Sequence, residues 1–370
     1  MNRGTVPALV LISTMAALAG AQTAPPGARA TGMGGAFVAS GNDATALWGN
    51  PASLSSCTLG CGVIFGGGIA TDENGFARTL RDDFAHVDLA TVSDPNEIRK
   101  LVADLDGFQK TGTGVIGSGS AGLAYAIGGF AIGIGETVYA GAYPEVQFVT
   151  VGGERLPGPG SNVTLKGLEA REVRVGYSGV LGGLTIGADV RYIQGRTYFV
   201  RESLAEAADS PVSVLRDALR DGERKTNRVA IDAGALYQAA GKLRLGIVGL
   251  SLNEPKFDLA PGGSIPLPRV IRAGAAFAPL SFDGIVFALD ADLNKQKTLV
   301  PGLSSRRIAA GAQIYFLRVG AFRDLEAVDP HWAYTAGLQL PLKVLSIGVS
   351  GVYSSDKRDV GAAAEIRVKI

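Results

Sequence analysis

The chain has 370 residues, of which 46% are hydrophobic and only 19% are charged, and it contains 52 glycines. Soluble domains usually carry about 25% charged residues, so this composition disfavours an ordinary soluble domain. The net charge of +1 gives no indication of the electrostatic attraction that nucleic-acid binding uses, and we predict no nucleic-acid partner.

Residues 1–21 have the layout of a secretory signal peptide. Arg3 supplies the positive region, Val6 to Leu18 the apolar region, and Ala19-Gly20-Ala21 an A-x-A cleavage site. The alternative is an uncleaved membrane helix, but the apolar run is shorter than the roughly 20 residues that a helical span needs. We therefore expect cleavage before Gln22 and export of the remaining chain.

Residues 22–56 are predicted to form a plug. The stretch from Ala28 to Leu54 is too rich in Gly, Ala and Asn for a strong helix, and it lacks the alternation of a strand. It precedes a long β-pattern, as expected for a small segment inside a barrel. Cys57 and Cys61 follow it; in an oxidising compartment they could pair, and two free thiols are the alternative.

Residues 57–370 are dominated by alternation of apolar and polar residues. Leu184, Ile186, Val190 and Tyr192, for example, alternate with polar or small residues, so one strand face is apolar. Segments of about ten residues behind a leader favour a membrane barrel over a soluble sandwich. The predicted strands are 61–70, 118–127, 129–140, 163–180, 182–201, 226–240, 242–253, 268–279, 283–295, 306–316, 318–325, 331–341, 344–354 and 359–370.

This pattern predicts an all-β fold, a fourteen-stranded antiparallel transmembrane β-barrel in contact with outer-membrane lipid. Short and long links alternate strictly, which places both chain ends on the periplasmic side. The long links near 81–108 and 203–220 contain helix-period stripes, which either cover the barrel mouth or line an access groove. The aromatic residues expected at the membrane interfaces are Tyr139, Tyr143, Tyr192, Tyr237, Phe277, Phe316, Trp332 and Tyr353.

The polar strand faces predict a charged lumen. Its predicted residues are Asp189, Arg191, Arg244, Arg272, Asp290, Asp292 and Arg307. Asp290 and Asp292 could perform acid–base chemistry or bind Ca²⁺, but we favour solvation of the lumen with Arg307 as a neighbour. We predict no catalytic residues, no metal site and no cofactor, since no nucleophile–base motif is evident and the G-x-G-x-x-G match at 112–117 lacks its strand and helix.

The segment ARATGMGGAFVASGNDATALWGNPASL resembles the start of the FadL-like outer-membrane proteins. This family includes transporters of fatty acids and aromatic hydrocarbons, PorV-type secretion accessories and TraF-like plasmid-transfer proteins. The stretches Leu252–Phe257 and Asp290–Leu293 look most similar to the TraF-like branch. The resemblance implies a fourteen-stranded barrel with an N-terminal hatch in the lumen, which would lie here at Met33 to Ala52.

In the transporter branch, the resemblance implies that a hydrophobic molecule binds from outside and the hatch shifts to let it pass. The corresponding hatch or gate residues here are Met33, Gly34, Gly35, Asp43, Asn50, Pro51 and Ala52. The first functional hypothesis is passive uptake of hydrophobic compounds such as long-chain fatty acids. The alternative is a non-transporting accessory for secretion or surface assembly, which would bind a protein partner.

Overall fold

The structure, a computed structural model, describes most of the chain after the leader. The described residues are 27–57, 59–84, 95–151, 154–157, 160–204, 207, 224–260, 262–282 and 284–369. The predicted signal peptide and most of the predicted helical loop 203–220 lie outside them.

Helical structure is confined to the N-terminal segment and one long link. The segment of residues 27–57, called the N-terminal segment below, contains α1 (Gly27–Gly32) and two 3₁₀ helices (Ala44–Leu47 and Pro51–Ser56). The link after the first strand contains α2 (Phe76–Thr79), a π-helical turn (Leu80–Phe84) and α3 (Pro95–Phe108). None of the described helices has the length and apolar character that a helical membrane span requires.

The rest of the described chain is mainly β-structure. The strands are β1 (Cys61–Glu73), β2 (Gly114–Ile127), β3 (Phe130–Glu145), β4 (Phe148–Val151), β5 (Glu154–Pro157), β6 (Asn162–Leu181), β7 (Leu184–Ser203), β8 (Arg224–Ala240), β9 (Leu243–Leu250), β10 (Lys256–Asp258), β11 (Ser264–Pro266), β12 (Val270–Phe277), β13 (Ile285–Asp292), β14 (Gln296–Lys297), β15 (Ser304–Ser305), β16 (Arg307–Ile314), β17 (Leu317–Asp324), β18 (Trp332–Pro341), β19 (Leu345–Ser354) and β20 (Asp359–Lys369).

Fourteen of these described strands form one closed antiparallel barrel, which confirms the predicted fold class. The remaining six form three small hairpins, β4–β5, β10–β11 and β14–β15, inside predicted long links. Their two to four residues are too few for an alternation pattern to reveal them. The wall closes where β1 pairs with β20, from Cys61 opposite Lys369 to Thr71 opposite Asp359. Closure pairs the strand edges, as backbone groups in a bilayer require.

Strand alternation sorts the wall into an outer and an inner face. On β7, Val190 and Tyr192 are about half exposed, whereas Asp189 and Arg191 between them are buried. The same alternation around the ring leaves a band of exposed apolar side chains on the outside, as a lipid-facing wall requires. Of the predicted interface aromatics, Tyr192, Tyr237, Phe277, Phe316, Trp332 and Tyr353 are exposed.

The prediction was wrong for Tyr139 and Tyr143, which are buried on the inner face of β3. The exposed residues of this strand, Ile132 and Ile134, have even numbers. Successive side chains alternate between the faces, so the odd-numbered tyrosines point inward. Their aromatic character suggested an interface position, but the period-two pattern decides the face.

The two ends of the barrel differ in their links. At the short-turn end the links span 128–129, 182–183, 241–242, 278–284, 315–316 and 342–344. The other, long-loop end carries the three hairpins and helices α2 and α3. There Leu101, Leu105 and Phe108 of α3 pack in a buried apolar cluster with Phe76 and Val163, so this helix covers the mouth.

Candidate functional site

The N-terminal segment lies against the inner face of the wall on several sides. The Gly34 N–H donates to Thr335 Oγ1 on β18 at 3.0 Å. At another part of the ring, Asn50 Nδ2 is 3.3 Å from the Ala235 carbonyl oxygen on β8 and 3.4 Å from that of Ile247 on β9. Met33 is fully buried between these contacts.

Asn50, Pro51 and Ala52 form a tight corner of the segment. Asn50 Oδ1 accepts the Ala52 N–H at 3.1 Å and thereby caps the second 3₁₀ helix. Proline suits the first helical position because its φ is already helical and it has no N–H to satisfy. Asn50 Nδ2 also donates to the Val38 carbonyl at 3.0 Å, which ties the corner to the preceding turn.

Glycines on the wall allow the segment to approach closely. A Cβ atom at Gly187 would lie 2.5 Å from the Ala52 nitrogen, and one at Gly320 would overlap the Met33–Gly34 peptide. Gly34 and Gly35 themselves have φ of +69° and +89°, which side-chain-bearing residues rarely adopt. The backbone of the segment therefore rests directly on the backbone of the wall.

Asp290 binds the segment directly. Its Oδ2 accepts the backbone N–H groups of Phe37 and Val38 at 2.8 and 3.0 Å. Asp292, two residues further along β13, contacts the wall instead. Its Oδ1 accepts Arg272 Nε at 2.5 Å, and its Oδ2 accepts the Arg307 backbone N–H at 2.9 Å. Asp290 therefore binds the N-terminal segment, whereas Asp292 binds residues of the wall.

A central charge cluster on β6, β7 and β8 comprises Glu172, Arg174, Asp189, Arg191 and Asp232. Arg174 contacts Glu172 at 2.7 Å and Asp232 at 3.1 Å, and Arg191 contacts Asp232 at 3.2 Å. These side chains are almost completely buried. Asp189 lies directly opposite Asp232 on the neighbouring strand, and neither of its carboxyl oxygens has a hydrogen-bond partner.

Three contacts tie the central charge cluster to the N-terminal segment. Trp48 Nε1 donates to Glu172 Oε1 at 2.7 Å. The Arg174 guanidinium lies 5.3 Å from the centre of the Trp48 ring and donates to the Leu47 carbonyl at 3.1 Å. The buried charges of the wall thus hold the middle of the segment.

A second, turn-end charge cluster comprises Arg29, Asp43, Arg318, Glu365 and Arg367. Arg367 NH1 is 3.2 Å from Asp43 Oδ2, and the Arg29 N–H donates to Glu365 Oε2 at 2.9 Å. Arg318 is fully buried, 3.5 Å from Glu365. Asp43 Oδ1 also accepts the Thr45 N–H at 2.9 Å, so this aspartate joins a helix cap of the segment to the wall.

The predicted lumen residues are on the inner face. Asp189, Arg191, Arg272, Asp290 and Asp292 are buried there. Arg244 donates to the Gly41 carbonyl at 3.3 Å and lies over the Phe282 ring at 3.9 Å, and Arg307 lies 4.8 Å from the centre of the Phe322 ring. The sequence reading missed Glu172, Arg174, Asp232, Arg318, Glu365 and Arg367. Strand alternation could have indicated them: on β6, for example, Glu172 and Arg174 alternate with the apolar Val173 and Val175.

Cys57 and Cys61 are paired as a disulfide with a Cα–Cα distance of 5.8 Å. Both are buried, at the junction between the N-terminal segment and β1. The bond anchors the C-terminal end of the segment to the wall. Among the described residues, no three potential His, Cys, Asp or Glu ligands converge on a possible metal position.

Between the segment and the long-loop end, one part of the interior is apolar, although polar residues such as Thr137 and Thr197 are also buried there. Tyr139, Leu168, Ile193 and Phe257 form one buried cluster together with the β10–β11 hairpin. Phe257 is fully buried and its ring lies against Gly195, so the hairpin folds into the barrel. This cluster and the separate one under α3, together called the apolar column below, lie on the long-loop side of the central charge cluster.

At the long-loop end, His331 joins two links. Its Nε2 lies 2.6 Å from Asp359 Oδ2 and its Nδ1 lies 3.7 Å from Asp356 Oδ2. The hydrogen bond with Asp359 raises the pKa of His331 to about 9.

Protonated His331 therefore stabilises the fold through its hydrogen bond with Asp359. Because the pKa of His331 is higher in the fold than its value of about 6.5 in an unfolded chain, this stabilisation is complete below about pH 6.5 and is lost as the pH rises through about 9. We expect the urea midpoint of the wild type to fall across this window. The midpoint of His331→Gln should change less. Equal pH profiles for the two proteins would contradict this assignment.

Comparison with known proteins identifies the family. The stretch 85–292, more than half of the chain, matches the family described as "F plasmid transfer operon, TraF, protein". The chain belongs to this TraF family. The match includes the Leu252–Phe257 motif but not the N-terminal segment. No curated protein matches the chain.

Solved structures share the fold of this TraF-family barrel. The toluene transporter TbuX of Ralstonia pickettii is 13% identical, with 93% of this chain and 98% of that chain covered and a TM-score of 0.55. The monoaromatic hydrocarbon channel CymD is 15% identical, with 94% and 98% covered and a TM-score of 0.55. A Pseudomonas aeruginosa FadL homologue is 14% identical, with 93% and 98% covered and a TM-score of 0.51. At these identities the likeness establishes the fold alone, and it confirms the predicted FadL-like barrel.

Proposed function

We propose that this protein is an outer-membrane channel for the passive uptake of hydrophobic compounds, in which the N-terminal segment is the hatch. The observation that carries the proposal is the buried apolar cluster that includes Leu168, Ile193 and Phe257, which lies on the long-loop side of the central charge cluster. A porin for hydrophilic solutes has a polar, water-filled lumen, whereas these side chains suit an apolar solute.

The exterior supports a membrane location. Ile134, Val190 and Leu289 are between 52% and 62% exposed on the outer face. Contact of such apolar side chains with water is unfavourable, and contact with lipid would replace it. In bacterial outer-membrane barrels the short turns face the periplasm. The short-turn end, with Asp43 and the turn-end charge cluster, therefore faces the periplasm, and α3 faces the outside.

The way in which the N-terminal segment is held suits a movable hatch. Polar side chains of the wall, such as Asp290, Thr335 and Glu172, bind the N-terminal segment through hydrogen bonds. Within the described residues, no part of the segment is a strand of the barrel. The segment can therefore leave the wall without breaking the strand ladder. The Cys57–Cys61 disulfide keeps its C-terminal end attached.

The structural relatives support a proposal for the class of solute. The structural relatives include transporters of toluene and channels for monoaromatic hydrocarbons. We extend this class to the present chain, with small aromatic hydrocarbons or long-chain fatty acids as candidate solutes. Tyr139 and Phe257 in the apolar column offer aromatic contacts to such molecules.

A second candidate function is a non-transporting accessory of secretion or surface assembly. Two observations favour it: the N-terminal segment and the charge clusters fill much of the described interior, and the described barrel strands are paired all round. In that function the long-loop end would bind a protein partner and the N-terminal segment would never move.

Uptake of a labelled long-chain fatty acid by intact cells distinguishes the two functions. We would compare the wild type, a strain without the protein, and a variant lacking residues 31–52 at equal surface abundance. Channel function predicts that loss of the protein reduces uptake to background and that the deletion makes uptake faster and non-saturable. If neither change affects uptake, the channel proposal fails and the accessory function is favoured.

A further inference from the structure

A cavity of about 400 Å³ opens at the short-turn end, next to the seam between β1 and β20. Asp43 of the N-terminal segment lies on one side, and Arg367 and Lys369 of β20 on another. Two short turns, 315–316 and 342–344, complete its border. The cavity is therefore built jointly by the N-terminal segment and the wall.

The charged lining of this cavity is mainly basic. Arg367, Lys343 and Lys369 face one acidic residue, Asp43. Asp43 is already engaged by Arg367 at 3.2 Å and by Arg29 at 3.7 Å. Gln313 and Gln339 add polar groups to the lining. This lining suits a ligand group with negative charge.

The rim of the cavity is apolar and faces outward. Tyr315, Phe316, Leu342 and Val344 are between 56% and 67% exposed. Exposed aromatic and aliphatic side chains at the end of a membrane barrel lie at the level of the lipid headgroups. A ligand in this cavity can thus place a charged group inside and an apolar chain against the rim.

We propose that this cavity binds the phosphate headgroup of an anionic phospholipid from the periplasmic leaflet. This inference rests on the proposed function only in that it requires the barrel to lie in the membrane with its short turns toward the periplasm. Lys343 and Lys369 attract the headgroup, Arg367 binds the phosphate, and the acyl chains lie against the apolar rim.

Binding there acts on the proposed hatch. Arg367 lines the cavity and is held by Asp43 at 3.2 Å and Glu365 at 3.3 Å, so a phosphate at Arg367 competes with both carboxylates, that of Asp43 included. The competition weakens the tie between the 3₁₀ helix capped by Asp43 and the wall. Anionic lipid therefore loosens the N-terminal segment from the periplasmic side.

Native mass spectrometry of the purified full chain tests the site. The protein in a non-ionic detergent is titrated with phosphatidylglycerol or phosphatidylcholine, and the retained lipid is counted. We expect one phosphatidylglycerol to be retained in preference to phosphatidylcholine. Each lysine should contribute about fivefold to the affinity, so Lys343→Gln/Lys369→Gln should lower it about 25-fold.

The matched control is Lys242→Gln, which removes an exposed lysine from another short turn that does not border the cavity. It should retain phosphatidylglycerol like the wild type. Equal retention of the two lipids, or unchanged retention in Lys343→Gln/Lys369→Gln, overturns the proposal. Displacement of the lipid by millimolar inorganic phosphate or by laurate at equal affinity would show a general anion site and would also overturn it.

None of these lipid measurements depends on solute uptake. A failed lipid test together with fatty-acid uptake that requires the protein removes the lipid site alone. Fatty-acid uptake that does not require the protein, together with intact lipid binding, removes the channel function alone.

Discussion

Asp232→Ala should lower the free energy of unfolding of the barrel by about 3–5 kcal/mol, since it breaks a buried ion-pair network. Asp232 contacts both Arg174 and Arg191, and its own exposure is 0%. In the variant, the buried guanidinium groups of Arg174 and Arg191 are left with the carboxylates of Glu172 and Asp189. The Asp189 carboxylate accepts no hydrogen bond. The Ser251 N–H, which donates to Asp232 at 2.6 Å, also loses its acceptor.

Asp189→Asn is the matched control for this variant. Asp189 has the same side chain, is equally buried and lies directly opposite Asp232, but its carboxyl oxygens accept no hydrogen bond. Removing its charge relieves repulsion with Asp232 and loses only the longer 3.8 Å ion pair with Arg174, so stability should change much less than in Asp232→Ala. Urea unfolding in detergent, followed by tryptophan fluorescence, measures both variants. Similar losses in both would show that burial alone, and not the network, determines the effect.

Asp290→Ala should release the N-terminal segment from the wall while the barrel remains closed. The side chain accepts two backbone hydrogen bonds, from Phe37 and Val38. Hydrogen bonds to a charged group contribute about 1.5–3 kcal/mol each, so the bound state loses roughly 3–6 kcal/mol. We expect the population with a displaced segment to rise by about two orders of magnitude or more, because 1.4 kcal/mol corresponds to a factor of ten.

Conductance across a planar bilayer measures this release. Asp290→Ala should open far more often than the wild type, and Asp189→Asn should behave like the wild type because Asp189 makes no hydrogen bond to the segment. A closed Asp290→Ala channel with wild-type protease resistance at residues 27–57 would contradict the assigned role of Asp290.

The wall could be predicted from the sequence because the bilayer imposes one simple rule on every strand. Each strand has one face toward lipid and one toward the lumen. An apolar period of two therefore indicates both where a strand lies and which of its side chains face outward. On β7, for example, the buried Asp189 and Arg191 alternate with the exposed Val190 and Tyr192. For Tyr139, residue type indicates a membrane interface, but its position in the alternation of β3 places it on the inner face.

The contacts of the N-terminal segment could not be predicted in the same way. Phe37 and Asp290 are 253 positions apart in the chain, and no periodicity relates them. The Gly-rich and Asn-Pro-Ala motifs indicated a compact segment, and the resemblance placed it in the lumen. The sequence could not indicate that Asp290 and Asp292 have different partners, because that depends on which strands become neighbours.

A reversible cross-link between the N-terminal segment and the wall tests the gating claim most directly. A Cβ atom at Gly32 would lie 3.5 Å from Ser350 Cβ, a separation that a disulfide spans. In the Gly32→Cys/Ser350→Cys variant, oxidation should reduce uptake of the labelled fatty acid to background, and a reductant should restore it. Wild-type protein under the same reductant controls for loss of the Cys57–Cys61 bond. Wild-type uptake by a fully cross-linked variant would contradict the hatch mechanism.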